Sequence, residues 1–554
     1  MRKNYFYIML LAVASLATSC YEDKGNYDYT EINEIGVNTE ATGTYFAVDR
    51  YDTLRISPTL TFTQGAMDDS QLSFKWEMFA DDWANSDASA LLLSTEKNLC
   101  AQISRAESVT PYALILTVTD NATGCSFTQK YQVSVQPSVL SGLMVLQDDD
   151  GRCRLDYLAS TIAEPTFATP HHIKDVYSAA NNGDKIMGAP RSVSFTLQNK
   201  SSYEPQDKRL YVCTDKEFVM LDAATFAKRH SNYEMFMSTP DALSPEAVMR
   251  SSIYDNSTIL VNNGRVHILN QSNAMIFGYQ FSRALKGNQS LEYKDIKVSK
   301  HIYMADNFPS YTGYEAILYD VEGKRFVKVS SGSAIEPELK AFEQQNDAAL
   351  RYFDVNNIGK DLVWMGKGNA SQGFAVFTDG VKNQIYRLRF NVESTTVDEE
   401  GNTVPNPQVN NLAMGVYDMA ENAEGNVAKY FDAGRYANYV LYASDRNIYT
   451  YDFSARKATM INDPFPEDEV ITAIKIYNVE FHTANISNIS GTILYVATWN
   501  GKEGKIYEFA INRTTGRLNN RTEDAEGNLK KPYNVFGGFG KVVEMCVKCQ
   551  GRSD

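Results

Sequence analysis

Positive charge, cysteine, histidine and long apolar runs are all scarce in this 554-residue chain. Lysine and arginine number 53 against 68 aspartates and glutamates, a formal charge of −15 that becomes more negative once Arg2 and Lys3 leave with a signal peptide. Nucleic acid, whose binding rests on neutralising phosphates, is therefore excluded as an expected partner. Beyond the N-terminal segment no stretch is apolar for long enough to cross a bilayer. Seven cysteines and six histidines leave little for a metal centre. Cys546 and Cys549 form one C-x-x-C, but no second pair or nearby histidine completes a zinc set, and in a strand an odd separation turns them to opposite faces. His171-His172 cannot both ligate from one strand face, no H-E-x-x-H occurs, and the pair reads as part of a solvated loop. Gly537-Gly538-Phe539-Gly540-Lys541 has Val542 where a phosphate loop carries Ser or Thr, and reads as a turn. Asp148-Asp149-Asp150-Gly151 misses the spacing of a calcium loop and reads as a hairpin turn. No G-x-S-x-G elbow is present, and a glycosidase-type carboxylate pair leaves no local signature. No metal, cofactor or catalytic residue is predicted.

Aromatic residues, by contrast, are plentiful: 34 tyrosines and 27 phenylalanines. They suit strands and sheet packing, and also the stacking of sugars or peptides. The clearest stretch is NYVLYASDRNIYTYDF, 438–453, in which β-branched and aromatic residues flank a polar turn at Ser444 to Asn447, the pattern of a half-buried hairpin. Related hairpins recur at 142–158, 209–226, 258–270, 315–330, 373–390 and 492–511. Their spacing, roughly 50 to 70 residues, predicts radial sheets with variable loops, a β-propeller of about seven blades over 137–554. A large β-sandwich or several unrelated β-domains is the alternative. The terminal pattern KVVEMCVK, 541–548, is expected to complete a blade begun near residue 140 and so close the ring. Between the hairpins, 335–353 predicts a short helix and 397–411 a long loop. Long loops are where binding residues concentrate, and 166–190, with His171 and His172, stands out. Trp499 at a hairpin tip and Trp83 in the loop FADDWANSDAS complete the set of candidate ligand-binding residues.

Residues 37–136 alternate in short strands, TLRISPTLTF, SFKWEMF and YALILTVTDNATGCSFTQKYQVSV, which predict a small antiparallel sandwich. Cys100 and Cys125 could pair there in an oxidising compartment or remain buried free thiols. Trp76, in a mid-domain strand between Phe74 and Met78, is expected in the core. Together with Tyr112, Leu116, Val118 and Asp120 it resembles the pattern of PKD-type domains, an immunoglobulin-like sandwich.

At the N-terminus, Arg2 and Lys3 precede an apolar run from Tyr5 to Leu16 that ends in Ala17-Thr18-Ser19-Cys20, the parts of a secretory signal. A cysteine after small residues resembles the lipobox of bacterial lipoproteins, with Ser where Gly or Ala is commonest. The resemblance implies a signal peptide over 1–19, lipidation of Cys20 and a tether over 20–36. The acidic Glu22 and Asp23 in YEDKGNYDY resemble the surface-export signal of lipoproteins in Gram-negative bacteria that use SusC/SusD-type uptake systems. With the ending VFGGFGKVVEMCVK, the chain over nearly its full length resembles a PKD-like lipoprotein family. That resemblance implies an outer-membrane lipoprotein facing outward, held only by its lipid, with a SusC-like TonB-dependent transporter and a SusD-like lipoprotein as partners. The expected role is a non-enzymatic accessory that binds glycan or peptide; a surface hydrolase or lyase with a propeller-mouth site is the alternative.

Overall fold

The computed structural model describes residues 31–549 apart from 41, 80–89, 109, 137–138, 166, 168, 199–206, 251–256, 270–277, 305–312, 331–336, 370–371, 390–394, 406–411, 464, 480–487 and 520–531. The chain divides into two compact units: one reaches Gln136, and the other spans Pro137–Asp554 together with the short segments Asp49–Asp52 and Ser104–Ala106. No helix among the described residues is long and apolar enough to cross a membrane.

The first unit is built on a five-stranded sheet in the spatial order Tyr45–Asp49, Ser126–Gln136, Tyr112–Asp120, Leu72–Phe79, Leu91–Ser94, the last four strands pairing antiparallel. Two strand pairs accompany it, Ile35–Asn38 with Thr59–Phe62 and Thr53–Ile56 with Leu99–Gln102. The segment TLRISPTLTF therefore divides between two sheets; Pro58, which has no N–H to give a ladder, lies at the break. In Tyr112–Asp120, Leu114, Leu116 and Val118 are buried while Ile115, Thr117 and Thr119 are half-buried, the period-two pattern of a covered face. Trp76 is fully buried, stacks on Tyr131 at 5.7 Å and donates its indole N–H to the Glu96 carbonyl at 3.0 Å. It is a core residue. Cys100 and Cys125 are free thiols.

The second unit is a β-propeller. Its described residues form seven antiparallel sheets, six of four strands and one of three, and a separate two-stranded ribbon. Every hairpin read from the sequence supplies two adjacent strands of one sheet; Tyr439–Ala443 and Ile448–Asp452, for example, are the middle of the sixth. In six sheets the innermost strand comes first in the chain, as with Pro190–Gln198, Tyr430–Ala433 and Val470–Ile476. The first sheet differs. Its inner strand is Lys541–Lys548, paired from Gly142↔Lys548 to Asp148↔Lys541, and it touches the inner strands of the second and seventh sheets. Both ends of the unit thus share one sheet, so the chain closes on itself there.

The corner before that strand is tightly fitted. Gln147 Oε1, fully buried, accepts from Gly540 N at 2.6 Å and from Arg154 Nη2 at 2.9 Å, and the same Nη2 donates to the Gly538 carbonyl at 2.9 Å. A β-carbon on Gly540 would lie 2.5 Å from the Asp148 carbonyl oxygen, so glycine is required by close approach.

Elsewhere the structure departs from the sequence pattern in detail. Over 335–353 the described helix is only Asp347–Leu350, while Leu339 and Phe342 are buried from a short strand and a loop. Within 397–411, Thr403–Pro405 pairs back on Thr395–Val397 as the ribbon. Asp150 and Gly151, at φ 53° and 79°, form the tight turn expected of Asp-Gly.

Candidate functional site

The segment joining the first sheet to the second builds one wall of an open cleft of about 330 Å³. Its helix Val176–Ala180 buries Val176, Tyr177 and Ser178, and is capped by Asp175, whose carboxylate accepts from Ser178 N at 3.3 Å. Asn181 then fastens the segment to the second sheet. Its Nδ2 donates to the carbonyls of Tyr177 at 2.8 Å and Phe226 at 3.0 Å, while its Oδ1 accepts from Lys228 N at 2.8 Å. A turn through Asn182 and Gly183, both at positive φ, brings Asp184, Lys185 and Met187 onto the cleft. Glu217, Val219, Lys228 and Ser231 form the opposite wall.

Three of these groups make one network. Asp184 Oδ2 accepts from Tyr177 OH at 2.7 Å and from Lys228 Nζ at 2.8 Å. The hydrogen bond from Lys228, seconded by Tyr177, holds the Asp184 carboxyl down at about 2. Burial, with the Asp184 carboxylate, pushes the Tyr177 phenol up to about 12, and the bond to Asp184 raises Lys228. Around neutral pH the aspartate and lysine are therefore fixed charges and the phenol a fixed donor. Lys185 pairs with Asp175 at 2.7 Å, and Glu217 Oε2 accepts from Met187 N at 2.9 Å, leaving the Met187 side chain 56% exposed. The wall thus offers anchored charges of both signs and one exposed apolar group. A general acid or base works best with a pKa near the working pH, and Asp184, Tyr177 and Lys228 are all displaced away from it.

Of the residues singled out in the sequence, the described ones, His171, His172 and Trp499, do not line this cleft. His171 and His172 lie in an edge strand, His171–Ile173 of the first sheet, rather than in a solvated loop. His171 stacks on Phe167 at 4.0 Å. His172 stacks on Phe539 at 4.3 Å, and its Nε2 is 2.9 Å from the buried Asp156, which also takes Arg154 Nε at 3.0 Å and Asp175 N at 2.9 Å. His172 thereby helps hold the closing corner. Trp499, half-buried, ends the strand Ile493–Trp499, and the hairpin tip is the following turn, 500–503. Cys20, Glu22, Asp23 and Trp83 lie outside the described residues. Among the described residues no group of three His, Cys, Asp or Glu side chains is placed to hold a metal ion. The sequence reading marked 166–190, but it could not supply Glu217 and Lys228, which reach the cleft only through the second sheet.

Among known proteins, the model of the PKD-like family matches residues 20–190. The match runs from Cys20 through the sandwich and three of the four strands of the first propeller sheet, against the near-full length that the sequence resemblance suggested. No curated protein matches the chain. Of solved structures, a DUF4784 family protein from Bacteroides caccae is 10% identical with a TM-score of 0.26, covering 94% of this chain and 100% of its own. An auxiliary nutrient binding protein from Bacteroides thetaiotaomicron is 10% identical with a TM-score of 0.24, covering 81% and 92%. The WD40 domain of SCAP from fission yeast is 8% identical with a TM-score of 0.31, covering 63% and 75%.

Proposed function

We propose that this protein is a cell-surface lipoprotein, anchored through Cys20 to the outer membrane, that binds glycan or peptide as a non-enzymatic accessory of a SusC/SusD-type uptake complex. The observation that carries the binding reading is the cleft: Tyr177, Asp184 and Lys228 are locked in one network whose charges do not titrate near neutral pH. Such groups orient a ligand and exchange no proton with it. The lipobox-like cysteine, the acidic residues after it and the PKD-like match from residue 20 support the surface location. The transporter and its lid lipoprotein come from the sequence resemblance.

The test is a panel of glycans and peptides titrated calorimetrically against the chain from Tyr21 onward. A ligand of the cleft loses about tenfold or more in affinity in Lys228→Ala, the expectation for one charge-assisted contact, and is recovered intact after incubation. Cleavage of the ligand would instead favour the hydrolase or lyase reading. Binding that ignores Lys228→Ala would remove the cleft from the account.

A further inference from the structure

The cleft has two unlike ends. Across its second-sheet wall, Val219 pairs with Ser231 and Leu221 with Lys228, so Glu217 and Lys228 stand apart along the strands by roughly 13 Å, at about 3.3 Å per residue. At the Lys228 end the charges are spent in pairs: Lys228 on Asp184 at 2.8 Å and Lys185 on Asp175 at 2.7 Å. Lys228 still has N–H groups to give, since an ammonium carries three. At the other end Glu217 has no ion pair among the described residues. Its Oε2 accepts from Met187 N at 2.9 Å, and its Oε1 is unused. The neighbouring charges do not neutralise it. In the same turn Lys216 is offset by Asp215, which accepts from Ala189 N at 2.6 Å. Arg229 is shared between Asp207 and Asp222, and His230 faces Glu234 at 3.9 Å. This end of the cleft is therefore an acceptor for one positive charge.

Beside that acceptor lies Met187. Its N–H goes to Glu217 and its carbonyl accepts from Thr214 Oγ1 at 2.6 Å, so the backbone is fixed from both sides while the side chain stands 56% exposed. A flexible thioether moulds itself to an apolar stem. The one aromatic among the described residues lining the cleft, Tyr177, is 2% exposed, with its hydroxyl on Asp184 and its ring 6.0 Å from the Lys228 ammonium. A sugar finds no open ring face there to stack on. An alkyl stem ending in a cation, by contrast, matches Met187 followed by Glu217. With Oε2 engaged, the carboxylate cannot offer both oxygens to a guanidinium fork, which favours the point charge of lysine over arginine.

We propose that the cleft selects peptide over glycan and seats a lysine side chain, with its ammonium on Glu217 Oε1, its methylene stem along Met187 and a carbonyl of the peptide backbone on Lys228. The proposal rests on the reading of the cleft as the ligand site.

The probe is the capped pentapeptide acetyl-Gly-Gly-Lys-Gly-Gly-amide, titrated calorimetrically against the chain from Tyr21 onward. Its norleucine and arginine counterparts are run beside it, with triglucosamine, which carries ammonium groups on sugar rings. The lysine peptide binds saturably, about tenfold or more tighter than the norleucine one and tighter than the arginine one, and triglucosamine does not bind. Glu217→Gln, whose amide oxygen can still accept from Met187 N, brings lysine and norleucine within about twofold of each other. Met187 is exposed, so Met187→Ser keeps the fold and weakens both peptides alike. Triglucosamine binding that depends on Lys228, with the lysine peptide unbound, would overturn the choice of peptide and leave the cleft standing. Binding of neither, or binding that ignores Lys228→Ala, would remove the cleft and the proposal together. Equal affinity for the lysine and norleucine peptides, or a lysine preference that survives Glu217→Gln, would overturn the seating on Glu217.

Discussion

Truncation before Gly540 removes the strand through which the propeller closes on itself. The loss can be sized from what leaves. Val542 and Met545 are 1% and 3% exposed, in the core that joins the first, second and seventh sheets. Burying side chains of this size stabilises by about 1.5–3 kcal/mol each, so about 3–6 kcal/mol goes with the pair. The ladder from Gly142 to Asp148 goes too, at about 1 kcal/mol net for each hydrogen bond. The sum is comparable with the whole stability of a typical domain, about 5–15 kcal/mol. Urea unfolding followed by fluorescence is expected to show the propeller transition abolished or moved far to lower urea, while that of the sandwich, with the buried Trp76, stays in place. A peptide of residues 540–549 added in trans should partly restore it. A truncated chain whose propeller unfolds within about 1 kcal/mol of the intact protein would refute the closure argument, because edges that do not close cost little when removed.

Further outcomes follow from single sites. Asp156 is buried, which pushes its carboxyl up, but the His172 hydrogen bond, the Arg154 charge and the Asp175 amide outweigh burial and leave it below its ordinary 3.8. A folded carboxyl of lowered pKa contributes stability that is complete above the unfolded value and fades as pH falls through the folded one. The propeller should therefore lose stability below about pH 4, and Asp156→Ala should cost at least about 1.5–3 kcal/mol at neutral pH by removing the charge-assisted bonds from His172, Arg154 and the Asp175 amide, Arg154 keeping its ion pair with Asp149 at 2.8 Å, measured by urea titration. Trp76→Ala should cost the sandwich about 3–5 kcal/mol and leave the propeller transition unmoved; a propeller shift of similar size would contradict the division into two units. Replacing Glu22 and Asp23 by Ala should hide the protein from protease added outside intact cells, and unchanged digestion would remove the export role assigned to that pair.

The fold was legible where the chain signals locally. Asp150-Gly151 can take the positive φ of a two-residue turn, and the apolar residues on either side fall into register from it, so the first hairpin could be drawn from sequence. Tyr439–Ala443 against Ile448–Asp452 could be drawn instead from their β-branched and aromatic residues flanking the polar turn Ser444 to Asn447. Closure was legible too, since a strand-like pattern at 541–548 could complete a blade begun near residue 140. The cleft was less so. Asp184 and Lys228 are 44 residues apart and meet because Asn181 fastens a loop to the second sheet, a tertiary fact with no periodic signature. His171-His172 drew attention by composition, but an edge strand as short as His171–Ile173 has too few residues to show alternation, and its role emerges only when Asp156 and Phe539 are in place.

The central claim is an accessory role at the cell surface, and gentle detergent extraction of the outer membrane with a tagged chain tests it most directly. The account predicts stoichiometric co-purification of a TonB-dependent transporter and its lid lipoprotein, lost when Cys20 is replaced by Ala. Recovery of the protein alone, with transporter complexes intact in the same extract, would contradict it.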